Sequence, residues 1–93
     1  MNLKFMKALH QLDAGKYEEA EENIKLAIEE CDSEYERLEI RACYAELLCK
    51  LERYDEAMEC VNYILENNDD YGNTNAGEIA NDVKAFIENL QEK

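Results

Sequence analysis

Proline is absent from the 93 residues and glycine occurs only three times, so the chain has few of the residues that break helices and turn strands. Ala, Leu, Glu and Lys take their place, and these lose least on entering a helix. A helical chain throughout is the expectation. Long apolar runs are missing too: nothing approaches the ~18 residues of a membrane span. Lys4 and Lys7 interrupt the opening Met1–Lys7 before an apolar signal region can form. Neither a membrane span nor a secretory leader is expected.

Histidine occurs once, as His10. No serine or cysteine nucleophile neighbours it in the helical pattern, which makes it a surface residue rather than a catalytic one. Cysteine is present as Cys31, Cys43, Cys49 and Cys60, but no Cys-x-x-Cys pair occurs and no histidine stands near. That spacing argues against a zinc site. A helical chain needs no disulfide staple, so reduced, mostly buried thiols in a cytoplasmic protein are expected. Glycine-rich phosphate loops and hydrolase motifs are likewise missing. Glutamate pairs such as Glu18/Glu22 and Glu29/Glu30 fall on solvated helix faces, which argues against acid–base work. No cofactor, no metal and no catalytic role are expected.

Basic residues are scarce: 10 Lys and Arg stand against 23 Asp and Glu, a net charge of −13. The imbalance is uneven. Residues 1–16 carry Lys4, Lys7 and Lys16 against Asp13, a balance of +2, whereas residues 17–39 reach −8. A field of this sign repels phosphate backbones and anionic lipid, so nucleic acid and membrane surfaces are poor partners. The chain's length suits one domain, 1–93, with one shared core and little room for a deep cavity.

Five helices follow from the periodicity. The first runs through Leu3, Met6, Leu9 and Leu12 and stops at Ala14-Gly15. The second starts near Tyr17 and carries the buried stripe Ala20, Ile24, Ala27, Ile28, Cys31. Its acidic first turn suits the positive end of the helix dipole. Ser33-Glu34-Tyr35-Glu36 has the form of a capping box and opens a third helix with Leu38, Ala42, Ala45 and Leu48 inward. A fourth follows from about Asp55, with Ala57, Val61, Ile64 and Leu65 inward. A polar loop, 67–77, precedes a closing helix, 76–92, with Ile79, Val83, Phe86, Ile87 and Leu90 on its apolar stripe and Thr74 or Asn75 as cap. The short connections imply antiparallel hairpins at 2–31 and 33–67.

In the polar loop, Asn67, Asp69, Tyr71, Gly72 and Glu78 fall at EF-hand ligand places. Asn and Tyr replace oxygen ligands that calcium needs, which argues against a metal there.

A shift of 37 residues lays Gly15-Lys16-Tyr17-Glu18-Glu19-Ala20 on Glu52-Arg53-Tyr54-Asp55-Glu56-Ala57, with Ile24 on Val61, Ile28 on Leu65 and Ala8 on Ala45. Ala8 against Ala20, and Ala45 against Ala57, would let paired helices cross closely, with each tyrosine wedging a turn. Over roughly residues 3–66 this resembles the tetratricopeptide repeat. Ala8, Gly15, Tyr17, Ala20 and Ala27 fall on its signature positions, as do Ala45, Tyr54 and Ala57 in the second copy. Glu52 departs from the family's glycine and Ile64 from its alanine.

The resemblance implies a right-handed stack of hairpins whose first helices line a concave groove for a peptide or helix of another protein. The groove positions it implies are Asn2, Phe5, Leu9 and Leu12, then Glu39, Ala42, Cys43, Glu46 and Cys49. Phe5, Leu9 and Cys43 occupy the places where relatives that clamp the acidic tails of heat-shock chaperones carry cationic residues, so that clamp is not expected. An adaptor or chaperone-like role is expected instead, with an amphipathic helix of some basic character as partner. The alternative is a structural unit that pairs with itself as a homodimer.

Overall fold

A computed structural model describes residues 2–92, and among them the regular structure is entirely helical. The helices are α1 (Leu3–Asp13), α2 (Tyr17–Glu30), α3 (Glu34–Lys50), α4 (Tyr54–Asn67) and α5 (Thr74–Gln91), with a 3-10 turn at Asn68–Asp70 between the last two. α1 packs on α2 and α3 on α4, while α5 rests on both α3 and α4 and α2 on α3. The Cα envelope measures 39 × 33 × 17 Å, a slab about two helices thick.

The turns that end α1 and α3 carry the repeat into the backbone. After α1, Gly15 N–H donates to Leu12 O (3.0 Å) and Lys16 N–H to Gln11 O (2.8 Å); after α3, Glu52 N–H donates to Cys49 O (3.0 Å) and Arg53 N–H to Leu48 O (2.8 Å). Every donor and acceptor is displaced by 37 residues. Both turns need one left-handed residue to point these amides back at the last carbonyls. Gly15 takes φ 76° at little cost, whereas Glu52 takes φ 61° with a Cβ in the way. Glu52→Gly should therefore stabilise the fold by about 1 kcal/mol, read as a higher denaturation midpoint at an unchanged denaturant slope. A lower midpoint would mean that Glu52's side chain contributes more than its backbone strain costs.

Ala8, Ala20, Ala45 and Ala57 are all fully buried, as close helix crossings require. Two cores result. Phe5, Ala8, Ile24, Ala27, Cys31, Ile40 and Leu47 form the first; Leu38, Ala42, Ala45, Leu48, Val61, Ile64, Val83 and Ile87 belong to the second. α3 walls both, with Ile40 and Leu47 facing one way and Leu38, Ala42, Ala45 and Leu48 the other.

On α1 the buried residues are Phe5 and Ala8, with Leu12 partly buried against them, while Leu3, Met6 and Leu9 of the apolar step are exposed. A three-residue step turns the helix only ~300°, so such a run drifts off any one face. On α5, Phe86 and Leu90 are exposed, and the buried stripe is Ala76, Ala80, Val83 and Ile87. α5 begins at Thr74, ahead of the expected 76, because Asn73 caps it: its side chain accepts from Ala76 N–H at 3.0 Å. The capping box is half made. Ser33 Oγ accepts from Glu36 N–H (3.2 Å), but the Glu36 carboxylate takes the Cys31 thiol (3.5 Å) instead of reaching back.

Candidate functional site

A groove follows α3 between α1 and α5. Its floor is the α3 face that carries Cys43 and Leu47, edged by Glu39, Glu46 and Lys50, and the spacing of 39, 43, 46 and 50 keeps this strip on one side of the helix. One lobe, about 200 Å³, is lined by Leu12, Asp13, Tyr17, Cys43, Glu46, Leu47 and Lys50. The next, about 270 Å³, is lined by Glu46, Cys49, Lys50, Asp82, Val83 and Phe86. Glu46 and Lys50 belong to both, so the lobes are continuous. Leu9 and Met6 lie four and seven residues before Asp13 and extend the α1 wall as an exposed apolar strip.

The groove is apolar in its floor and acidic at its edges. Burial pushes the Cys43 thiol up to about 11, with the Glu46 charge adding to the effect. The Cys49 thiol is raised by the same causes in the same order. Both therefore stay neutral near pH 7 and present a small apolar surface. Asp13, Glu46 and Asp82 ring the lobes against the single ammonium of Lys50. Phe86, half exposed, stands against Tyr54 with ring centroids 6.4 Å apart, which holds one aromatic edge at the groove mouth.

Of the residues expected to line a groove, Leu12, Cys43, Glu46 and Cys49 do so. Leu9 flanks it and Glu39 lies half-buried at the far end of the floor strip. Two expectations are corrected. Phe5 is only 9% exposed, because α3 brings Ile40 and Leu47 against it. Ala42 is fully buried beneath α4 and α5, one residue round the helix from Cys43. Asn2 is occupied structurally: its Oδ1 accepts from Lys4 and Phe5 N–H (2.8 and 3.2 Å), and its Nδ2 donates to Ala27 O (3.1 Å). The whole α5 wall went unforeseen as groove, since its spacing placed Phe86 on a buried stripe. Tyr17 is partly buried against the first core and also lines one lobe.

The opposite side carries a larger depression, about 550 Å³, lined by Glu18, Glu21, Glu22, Lys25, Leu51 and Arg53. It holds an ion-pair network joining the hairpins. Arg53 Nη1 donates to Glu21 Oε1 (2.8 Å), Tyr44 Oη to Glu21 Oε2 (2.5 Å), and Arg53 also pairs with Glu56. The Arg53 hydrogen bond, opposed by burial and helped by Tyr44, holds the Glu21 carboxyl at about 2, below its ordinary 4.5. A depressed folded value gives stability that is complete above about 4.5 and drains away as pH falls towards about 2. Glu21→Gln should thus cost about 1–2 kcal/mol at pH 7, with the gap to wild type closing by pH 2. Denaturation series at the two pH values check this; a gap that persists in acid contradicts it.

A second network ties α3 to the end of α2 and to α4. Arg37 donates to Cys31 O and to Glu34, Tyr63 Oη donates to Glu34 Oε1 (2.7 Å), and Arg41 lies 4.1 Å over the Tyr63 ring. These polar joints hold the groove's floor against both hairpins. His10 is exposed on α1, away from the groove lining. In the polar segment, Asn67 Nδ2 is engaged with Tyr63 O (2.8 Å), Asp69 lies in the 3-10 turn and Glu78 stands exposed on α5. No described helix is long and apolar enough to cross a membrane.

Comparison of the chain with protein-family models, with curated proteins and with solved structures finds no match.

Proposed function

We propose that this chain is a tetratricopeptide-like interaction module, adaptor or chaperone-like in role, that holds a helical or extended segment of another protein along the α3 groove. The observation that carries the proposal is the groove itself: a continuous channel with neutral thiols and leucines in its floor, Phe86 at its mouth and three carboxylates against one lysine on its rim. An amphipathic helix with apolar residues on one face and Lys or Arg flanking them complements such a channel. The displaced copy of the α1–α2 turn at α3–α4 supports a right-handed stack of two repeats and a closing helix. In that reading Ala8, Gly15, Tyr17, Ala20 and Ala27, with Ala45, Tyr54 and Ala57, serve the scaffold rather than the ligand. The role is one of binding, without catalysis or cofactor.

Panning a displayed peptide library against the purified chain tests the proposal. Enriched peptides are expected to be helical in pattern and basic, and to lose at least about tenfold in affinity for Phe86→Glu or Glu46→Lys, because apolar anchors and paired charges dominate such interfaces. No enrichment, or binding indifferent to both substitutions, defeats the reading.

A further inference from the structure

The hairpin of α1 and α2 has a second face, turned away from α3, that no other helix covers: α4 and α5 pack on α3 and on each other. The seam of this face is marked by Asn23 Nδ2, which donates to Gln11 Oε1 (2.7 Å), and by Gln11 Nε2 with Glu19 Oε2 (3.5 Å). Along α1, four, seven and eight residues before Gln11, stand Lys7, Lys4 and Leu3. Along α2, the strip that holds Glu19 and Asn23 continues through Glu22, Leu26 and Glu30. Helical spacing keeps each set on its own side of the seam. Leu3 is 79% exposed and Leu26 39%. Among the described residues, neither Lys4 nor Lys7 forms an ion pair. The face thus has a basic half and an acidic half, each with one exposed leucine.

Such a surface is complementary to itself in one arrangement only. A two-fold axis across the helices would lay α1 on α1 and set lysine against lysine. A two-fold axis running along the seam lays α1 of one copy over α2 of the other and sets lysine against glutamate, twice. The levels agree as well. Asn2 Nδ2 donates to Ala27 O at 3.1 Å, which puts the start of α1 beside Leu26, so the same axis brings Leu3 of one copy over Leu26 of the other. Lys7, a turn further on, then comes over Glu22. We propose that this open α1–α2 face pairs with the same face of a second copy, Leu3 packing on Leu26 and Lys7 meeting Glu22, with Lys4 adding to the basic half.

The patch is the area of two short helices, at the small end of specific interfaces, so the dimer is weak and its rate and strength fall with salt. It leaves the groove free, and stands or falls independently of what the groove binds.

Sedimentation over a concentration series tests the pairing. Wild type at low salt is expected to show a concentration-dependent dimer that weakens at high salt. Leu26→Asp and Leu3→Asp, both at exposed sites, should raise the dissociation constant at least about tenfold, because a charge replaces an apolar contact. Lys7→Glu and Glu22→Lys should each weaken pairing, and the two together should restore most of it, since the double change rebuilds the same charge pair in reverse. Circular dichroism shows that each variant is folded. A wild type that stays monomeric overturns the proposal, as does a double variant no better than its parents. A dimer lost in Phe86→Glu but kept in Leu26→Asp overturns it too, by placing the contact in the groove.

Discussion

Phe5→Glu is expected to melt the α1–α2 end of the molecule and, with it, most of the fold. Phe5 packs in the first core beside Ala8, Ile24, Ile40 and Leu47. Removing a buried phenylalanine costs about 3–5 kcal/mol, and a carboxylate in its place must also shed its water. That sum is comparable to the whole stability of a domain this size, about 5–15 kcal/mol. Phe86→Glu, at a site 50% exposed, should move stability by no more than about 0.5 kcal/mol. Thermal melts followed by circular dichroism compare the two directly. If Phe5→Glu melts with wild type, the first core is not built as described.

Asn73→Ala is the next largest effect expected. Asn73 is the one fully buried polar side chain among the described residues, and each of its polar groups is used. Its Oδ1 caps α5, its Nδ2 donates to Tyr35 O at the start of α3 (3.0 Å), and its backbone N–H and C=O are both held by the Asn68 side chain (2.8 and 2.9 Å). Gly77 leaves the room this clasp needs: a Cβ there would come within 3.1 Å of Asn68 Nδ2. Losing the cap and the tie to α3 should cost about 2–3 kcal/mol. Asn73→Asp, which keeps the cap acceptor and drops the donor, should fall between. Chemical denaturation of the three proteins settles the order, and an Ala variant as stable as wild type would contradict it.

Helix number and most helix ends were legible in the sequence because their signals are local. Gly15 stops α1, Ser33 opens α3, and the stripes on α2 and α4 keep a true helical period. What the pattern hides depends on what lies across from a residue. Phe86 and Leu90 look like part of a buried stripe until a neighbour must be named for each. Phe5 looks like an anchor until α3 closes over it. On α3 the sequence pattern shows the face of Leu38, Ala42, Ala45 and Leu48 and hides a second at Ile40 and Leu47, because a helix apolar on two sides has no clear period. In the groove, the floor could be counted from Tyr17 and Tyr54, but the α5 wall has no repeat partner from which to count. The cap at Asn73 was hidden among neighbouring Asn, Asp and Thr residues that all favour such turns.

Because α3 supplies a wall to both cores, the two hairpins are not separable modules. In a string of repeats that each own their interior, one unit can be cut away and its neighbours persist. Here, excising α1 and α2 would lay Ile40 and Leu47 open to water, and excising α4 and α5 would do the same to Leu38, Ala42, Ala45 and Leu48. Either truncation leaves a sticky central helix rather than a smaller protein. The shortest piece of this chain expected to stand alone is nearly all of it, and its loss of structure is expected to be a single cooperative event.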